Sequence, residues 1–157
     1  MSQQLFSWIS QSALRDWVIS SPFIWPTLES IHFVSLCVLA GSLLVVDLRL
    51  IGFFRQPCAP MAALLIRLAL AAFAVNLLTG VLFFFGNTFK YVDNPAFELK
   101  MILILIAGAN AVFFRLRLRH IVESDEISVA SASVGYLSLA LWAGVIVCGR
   151  MITFYAA

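Results

Sequence analysis

The chain has 157 residues, 62% of them hydrophobic and only 11% charged, with a formal net charge of +2 and a mean hydropathy of +1.01. No water-soluble domain of this length has the interior to hide that much apolar surface, whereas a bilayer does: its hydrocarbon core of ~30 Å asks for ~20 apolar residues per helical crossing. The small net charge argues against nucleic-acid binding, and three cysteines (Cys37, Cys58, Cys148) without a CxxC spacing argue against a disulfide framework.

The first ten residues, MSQQLFSWIS, carry no basic segment ahead of an apolar core and so predict no cleavable signal peptide. Over residues 4–20, Leu5, Ile9, Ala13 and Trp17 recur at steps of four, with Gln4, Gln11, Arg15 and Asp16 between them. That stripe predicts a helix too polar to cross the bilayer and suited to lie on it. Trp8, Trp17 and Trp25 fit the aromatic belt at the hydrocarbon boundary. Pro22 and Pro26 interrupt the chain, and Thr27 is placed to cap the next helix. Four transmembrane helices are then predicted over 28–54, 62–86, 97–115 and 127–149. The first connection holds Arg55, Pro57 and Pro60, and the second holds Asn87, Lys90, Asp93, Asn94 and Pro95. The third runs through Arg115, Arg117, Arg119 and His120 into an acidic turn, Glu123, Asp125 and Glu126. The expected fold is all-α: one membrane domain over 1–157, a four-transmembrane-helix bundle preceded by an interfacial amphipathic helix and free of internal repeats.

Basic residues near span ends set orientation. Arg49, Arg55, Arg67, Arg115, Arg117 and Arg119 lie on the side of the first and third loops, against Arg15, Lys90, Lys100 and Arg150 on the other. Six against four puts the first and third loops in the cytoplasm and both termini outside.

This topology turns sequence positions into depths. Glu29 and His32 fall in the first turns of span one, Glu98 and Lys100 in the first turn of span three, and Arg150 at the outer end of span four. His32 is then only ~6–8 Å below the start of its helix. Ionisable groups inside a bilayer are costly and point to function, so Glu29, His32, Lys100 and Arg150 are expected to converge on one ligand site between spans one, three and four. His32, Ser35, Leu39, Ser42, Val46 and Arg49 follow helical steps along one partly polar face. Asn76, Thr79 and Gly80 on span two, and Gly108 and Asn110 on span three, read as close-packing positions. At the cytoplasmic end, Asp47, Arg49 and Arg67 are assigned to structural ion pairs, with Asp47 meeting Arg67 or Arg49. The run Arg115, Arg117, Arg119 suits anchoring on anionic lipid.

The pattern E-x-x-H (Glu29 to His32), Gly41-Ser42, D-L-R-L-x-G (Asp47 to Gly52), G-x-L-F (Gly80 to Phe83), N-P-A-F-E-L-K (Asn94 to Lys100), Asn110-Ala111 and W-x-G-V-I-V-C-G-R-M-I (Trp142 to Ile152) covers most of the chain beyond residue 25. It resembles a widespread, uncharacterised bacterial family of four-helix membrane proteins. That resemblance implies a multi-pass protein of the bacterial inner (cytoplasmic) membrane and brings no established activity. His32 followed by Gly41 is also similar, more distantly, to membrane proteins of the copper-resistance type and to the haem-containing protoporphyrinogen-oxidase membrane family.

Three classes of function fit these residues. The leading one is a site for an anionic small molecule or lipid headgroup, or a subunit of a membrane complex, with Lys100 and Arg150 holding the anion and Glu29 balancing the charge. The second is a haem b redox protein: His32 as axial ligand, Met101, Met151 or the His32 of a symmetry mate as the other, and Lys100 and Arg150 at the propionates. His120 lies at the opposite face, about 30 Å away. The third is a Cu(I) site from His32, Met101, Cys148 and Met151, since soft thiolate and thioether donors select Cu(I). Expected partners are the lipid bilayer and either partner subunits or further copies of the chain. Catalysis is the least favoured class, because no nucleophile, base and orienting group stand together in the pattern.

The topology has a direct test. Single cysteines at residues 58 and 90, in a background without the other cysteines, are expected to react with an impermeant maleimide from opposite sides of the membrane. Labelling from the same side overturns the four-span arrangement.

Overall fold

Hydrocarbon offers no hydrogen-bond partner to a bare backbone, so a chain this apolar must satisfy its amides internally, and helices do so within one segment. The computed structural model describes residues 11–53, 59–114, 116 and 129–155, and among these are six helices and no strand. In chain order they are α1 (Ala13–Ile19), α2 (Ile24–Ile51), α3 (Ala59–Gly86), α4 (Thr88–Val92), α5 (Pro95–Phe113) and α6 (Val129–Tyr155). Leu5 and Ile9 of the expected surface stripe, and the basic and acidic residues from 117 to 128, lie outside the described residues. Four helices are long and apolar enough to cross a membrane. The shortest, α5, has 19 residues, or ~28 Å at ~1.5 Å per residue, close to the ~30 Å of a hydrocarbon core.

Helix ends differ from expectation for identifiable reasons. Helix α2 starts at Ile24 rather than 28, because Pro26 falls in the first turn, where a missing N–H leaves no hydrogen bond unmade. Thr27 is therefore no cap, and its hydroxyl donates to the Phe23 carbonyl at 2.7 Å. The helix closes at Gly52, whose φ of 89° lets its amide and that of Phe53 bond the carbonyls of Arg49 and Leu48, each at 2.9 Å. Helix α6 runs past 149 to Tyr155, since Met151–Tyr155 contains no breaker. The second connection, expected as a turn, holds the short helix α4.

Asn94 then does two jobs. Its side-chain oxygen caps α5 by accepting from the amides of Ala96 and Phe97 at 3.1 and 3.3 Å. Its side-chain amide donates to the Ile152 carbonyl at 3.0 Å, which ties the start of α5 to the end of α6.

The packing inverts that of a soluble protein. Ser35, Ser42, Asn76, Thr79, Ser131 and Ser138 are buried, while Val34, Leu78 and Leu105 are exposed, Leu105 to 70%. Lipid tails are as apolar as leucine, so helices associate through close approach and hydrogen bonds rather than through leucine burial. Helix α2 packs on α3 and on α6, and α6 packs on α5, while the backbones of α3 and α5 scarcely approach each other. Leu39, Ala69 and Ala72 form one α2–α3 core cluster, with Phe73 and Trp142 against it. Val46, Leu50 and Ala62 form a second, flanked by Leu65, Ile66 and Phe114. The closest α2–α6 approach is at Gly135, where a Cβ would stand 2.9 Å from the Asp47 carbonyl oxygen and 3.2 Å from Leu50 Cβ. Above the bundle, α1 is held by Val18, fully buried. It seats beside Gly86, where a Cβ would come within 3.0 Å of Val18 and 2.8 Å of the Trp25 ring. Leu14 and Trp17 of α1 stay exposed.

Gly135→Ala is expected to lower stability by about 1–3 kcal/mol through overpacking against backbone. Gly41→Ala, whose Cβ would meet nothing within 4 Å, should leave it unchanged. Melting in detergent compares the two, and equal melting temperatures would mean that α6 can back away from α2.

Candidate functional site

Trp25, Gly86, Asn94 and Ile152 gather at one end of the bundle, the upper end, from which α2 and α5 descend and toward which α3 and α6 climb. His32 lies ~12 Å down α2 and Lys100 ~7–8 Å down α5 at ~1.5 Å per residue.

A chain of hydrogen bonds joins α2 to α3 at His32. Thr79 donates its hydroxyl hydrogen to the Val75 carbonyl at 2.8 Å, with the Asn76 carbonyl at 3.1 Å. The Thr79 oxygen lies 2.6 Å from His32 Nδ1. A hydroxyl has one hydrogen, so with that hydrogen on the carbonyl, Nδ1 must be the donor. The bond thereby selects the Nδ1–H tautomer and leaves the lone pair on Nε2. One turn below, Ser35 donates to the His32 carbonyl at 3.0 Å. The Asn76 amide donates to Ser35 Oγ at 2.5 Å, with longer contacts of 3.4 Å to the His32 and Ala72 carbonyls. Phe83 meets the imidazole edge-on at a centroid distance of 5.4 Å, and Trp25 packs on Phe83 at 5.2 Å. The ring is fixed on one side and open at Nε2.

Lys100 approaches from α5. Its ammonium lies 3.6 Å from where a Cβ on Gly149 would sit, so the missing side chain on α6 makes room for it. It is near enough to Cys148 and to His32 to interact with both electrostatically. Among the described residues no carboxylate lies within ion-pair distance of Lys100. Neither Lys100 Nζ nor His32 Nε2 is sealed inside protein.

The other expected site residues are placed differently. Glu29 is exposed and accepts from Trp25 Nε1 at 2.9 Å. Burial, and then the nearby Glu29 carboxylate, push the Tyr91 phenol above its usual range. Arg150 and Glu98 are exposed. Met101 and Met151 are exposed to 40% and 39%, whereas Cys148 is buried. Among the described residues no group of three or more His, Cys, Asp or Glu side chains could hold a metal. Lys100 thus lies within electrostatic range of His32, Glu29 stands on the flank beside Trp25 and Tyr91, and Arg150 is at the surface.

At the lower end, Asp47 is 4% exposed and hydrogen-bonds Ser138 across the α2–α6 seam, while its Oδ2 meets no donor. Arg67 is exposed and Arg49 buried. The partner found for Asp47 is a hydroxyl, not Arg67.

Thr79 and Asn76 were read from the sequence as packing residues, yet they orient the histidine. The signal was present in matching intervals: His32 and Ser35 are three apart on α2, as Asn76 and Thr79 are on α3.

The fold defines a class, a multi-pass helical membrane protein, here with a histidine and a lysine within electrostatic range of each other near one end of the bundle. A family model described as "Family of unknown function (DUF6644)" matches residues 5–155, and the chain belongs to that family. No curated protein and no solved structure matches it. The more distant likeness to copper-resistance and haem-containing families therefore finds no support.

Thr79→Val is expected to release His32 from the Nδ1–H tautomer and to cost roughly 0.6–2 kcal/mol, the range for one hydrogen bond between membrane helices. Nitrogen-15 NMR of the labelled ring reads the tautomer directly. A variant ring still protonated only at Nδ1 would mean that Thr79 does not select it.

Proposed function

We propose that this protein binds the acidic group of a small molecule or lipid at the upper end of its bundle, between α2, α5 and α6. The observation that carries this reading is Lys100: a cation set into an apolar span, half-buried, with no carboxylate partner among the described residues. Charged groups in a bilayer are costly unless paired, or unless they reach water or a ligand. An anion arriving at Lys100 supplies the missing charge. His32 complements it, since an Nε2 lone pair accepts from the O–H of a monoanionic phosphate or a carboxylic acid. Arg150, exposed one residue beyond Gly149, adds positive potential at the rim, and Glu29 offsets it. The upper end is taken as the periplasmic face of a bacterial inner membrane, with both termini on that side.

A second reading, haem b on His32, draws on one observation. A ligating histidine is held by a hydrogen bond at its other ring nitrogen, and His32 Nδ1 has that bond with Thr79. Its second ligand would be Met101 or Met151, exposed to 40% and 39%, or the His32 of a second copy. The copper reading is not carried forward, because no observation favours it.

Native mass spectrometry of the purified protein with phosphatidic acid or phosphatidylcholine tests the proposal. Phosphatidic acid is expected to be preferred. Lys100→Gln should reduce that preference by about tenfold or more, since a hydrogen bond to a charged group contributes ~1.5–3 kcal/mol, and His32→Ala should weaken it less. A wild-type protein without preference, or a Lys100→Gln variant that keeps it, overturns the anion site. A reduced-minus-oxidised haem band in the same preparation, lost in His32→Ala, would transfer the site to haem.

A further inference from the structure

We infer that the ligand reaches this site sideways from the bilayer, through the seam between α3 and α5, and is therefore a membrane-dissolved amphiphile with an acidic headgroup on a hydrocarbon chain. This rests on reading Lys100 and His32 as the headgroup site.

Three observations point to the seam. First, α3 and α5 are neighbours whose backbones scarcely approach, unlike α2–α3, α2–α6 and α5–α6. Second, aromatic rings of α3 and α5 close the seam at its top. Phe84 of α3 stacks on Phe97 of α5 with centroids 5.9 Å apart and rings 19° from parallel, and Tyr91 packs on Phe97 at 5.3 Å. Third, each helix carries below that stack a glycine with open space beside it, Gly80 partly buried and Gly108 exposed. Gly80 lies one turn below Phe84 on the same face of α3, and Gly108 lies three turns below Phe97 on the same face of α5, by the 3.6-residue repeat. A Cβ on either glycine would meet nothing within 4 Å. By the same measure Gly86, Gly135 and Gly144 each stand within 3.0 Å of a neighbour, while Gly41 on α2 is open like the two seam glycines.

The hollow borders the site. Thr79, next to Gly80, carries the hydrogen bond to His32, and Lys100 is one turn beyond Phe97 on α5. The roof above is packed: Val18 is fully buried, the Trp25 ring lies against Gly86, and buried Asn94 joins α5 to α6. Leu77 and Met101, both exposed, flank the seam at hydrocarbon depth. An acyl chain fits such a wall, and a phosphate monoester fits Lys100 with His32 Nε2, by charge and by hydrogen bonding respectively. Among the described residues these contacts pack the end of the bundle, and the seam offers a route that does not cross them.

The test uses the full chain in phosphatidylcholine nanodiscs, with the nitrogen-15 resonance of His32 Nε2 as readout. Dioleoyl phosphatidic acid is delivered within the bilayer and glycerol 3-phosphate in the buffer. Phosphatidic acid is expected to shift the resonance, and glycerol 3-phosphate to leave it unmoved. Gly80→Leu with Gly108→Leu should raise the phosphatidic acid fraction needed for half-saturation by at least about tenfold, equivalent to ~1.4 kcal/mol. Those variants should keep the Nδ1–H tautomer and the melting temperature. Gly80→Leu alone should act in the same direction, in case the double variant folds poorly. An unchanged phosphatidic acid response in the filled seam, or an equal shift from buffer glycerol 3-phosphate, overturns the lateral route while leaving the anion site standing. No shift from either probe in the wild type removes the anion site itself.

Discussion

A helix in hydrocarbon gains little by pressing leucine against leucine, because the lipid it displaces is equally apolar. What holds this bundle is a set of hydrogen bonds and close approaches, and α2 carries both kinds. Toward α3 it offers His32 and Ser35 to Thr79 and Asn76. Toward α6 it offers the Asp47 backbone to Gly135 and the Asp47 carboxyl to Ser138. Helix α5 is attached through α6 and through the Asn94–Ile152 bond. The arrangement is a row, α3–α2–α6–α5, bent until its two ends face each other, and the facing ends form the loosest seam.

That asymmetry matters for the chemistry. Lys100 and Arg150 start from similar depths, yet one is drawn along α6 into the space left by Gly149 and the other stays exposed. A lysine near a helix end ordinarily snorkels to water. Lys100 instead stays half-buried, within electrostatic range of His32.

The lower seam follows the same rule with another outcome. Asp47 and Arg67 match by charge and depth, but Arg67 lies five residues after Ala62, roughly 140° around α3 from that fully buried position at ~100° per residue. It faces outward. Asp47 instead takes a serine hydroxyl on the helix it packs against. Azimuth, not charge, decided the pairing.

Much of the architecture was legible in the sequence. Span number and the all-helical class follow from residue type and the length of a bilayer crossing, which act locally. The faces were not legible. Helices apolar all round carry almost no periodicity to say which side is inside, so Thr79 and Asn76 read in the sequence as packing residues. Only tertiary structure settles rotation about each axis, because that rotation comes from which small or hydrogen-bonding residues on neighbouring helices can meet. The same holds for the hollow at Gly80 and Gly108. A glycine that admits a neighbouring helix and one that leaves a gap read alike in a sequence, and differ only in whether another helix fills the space.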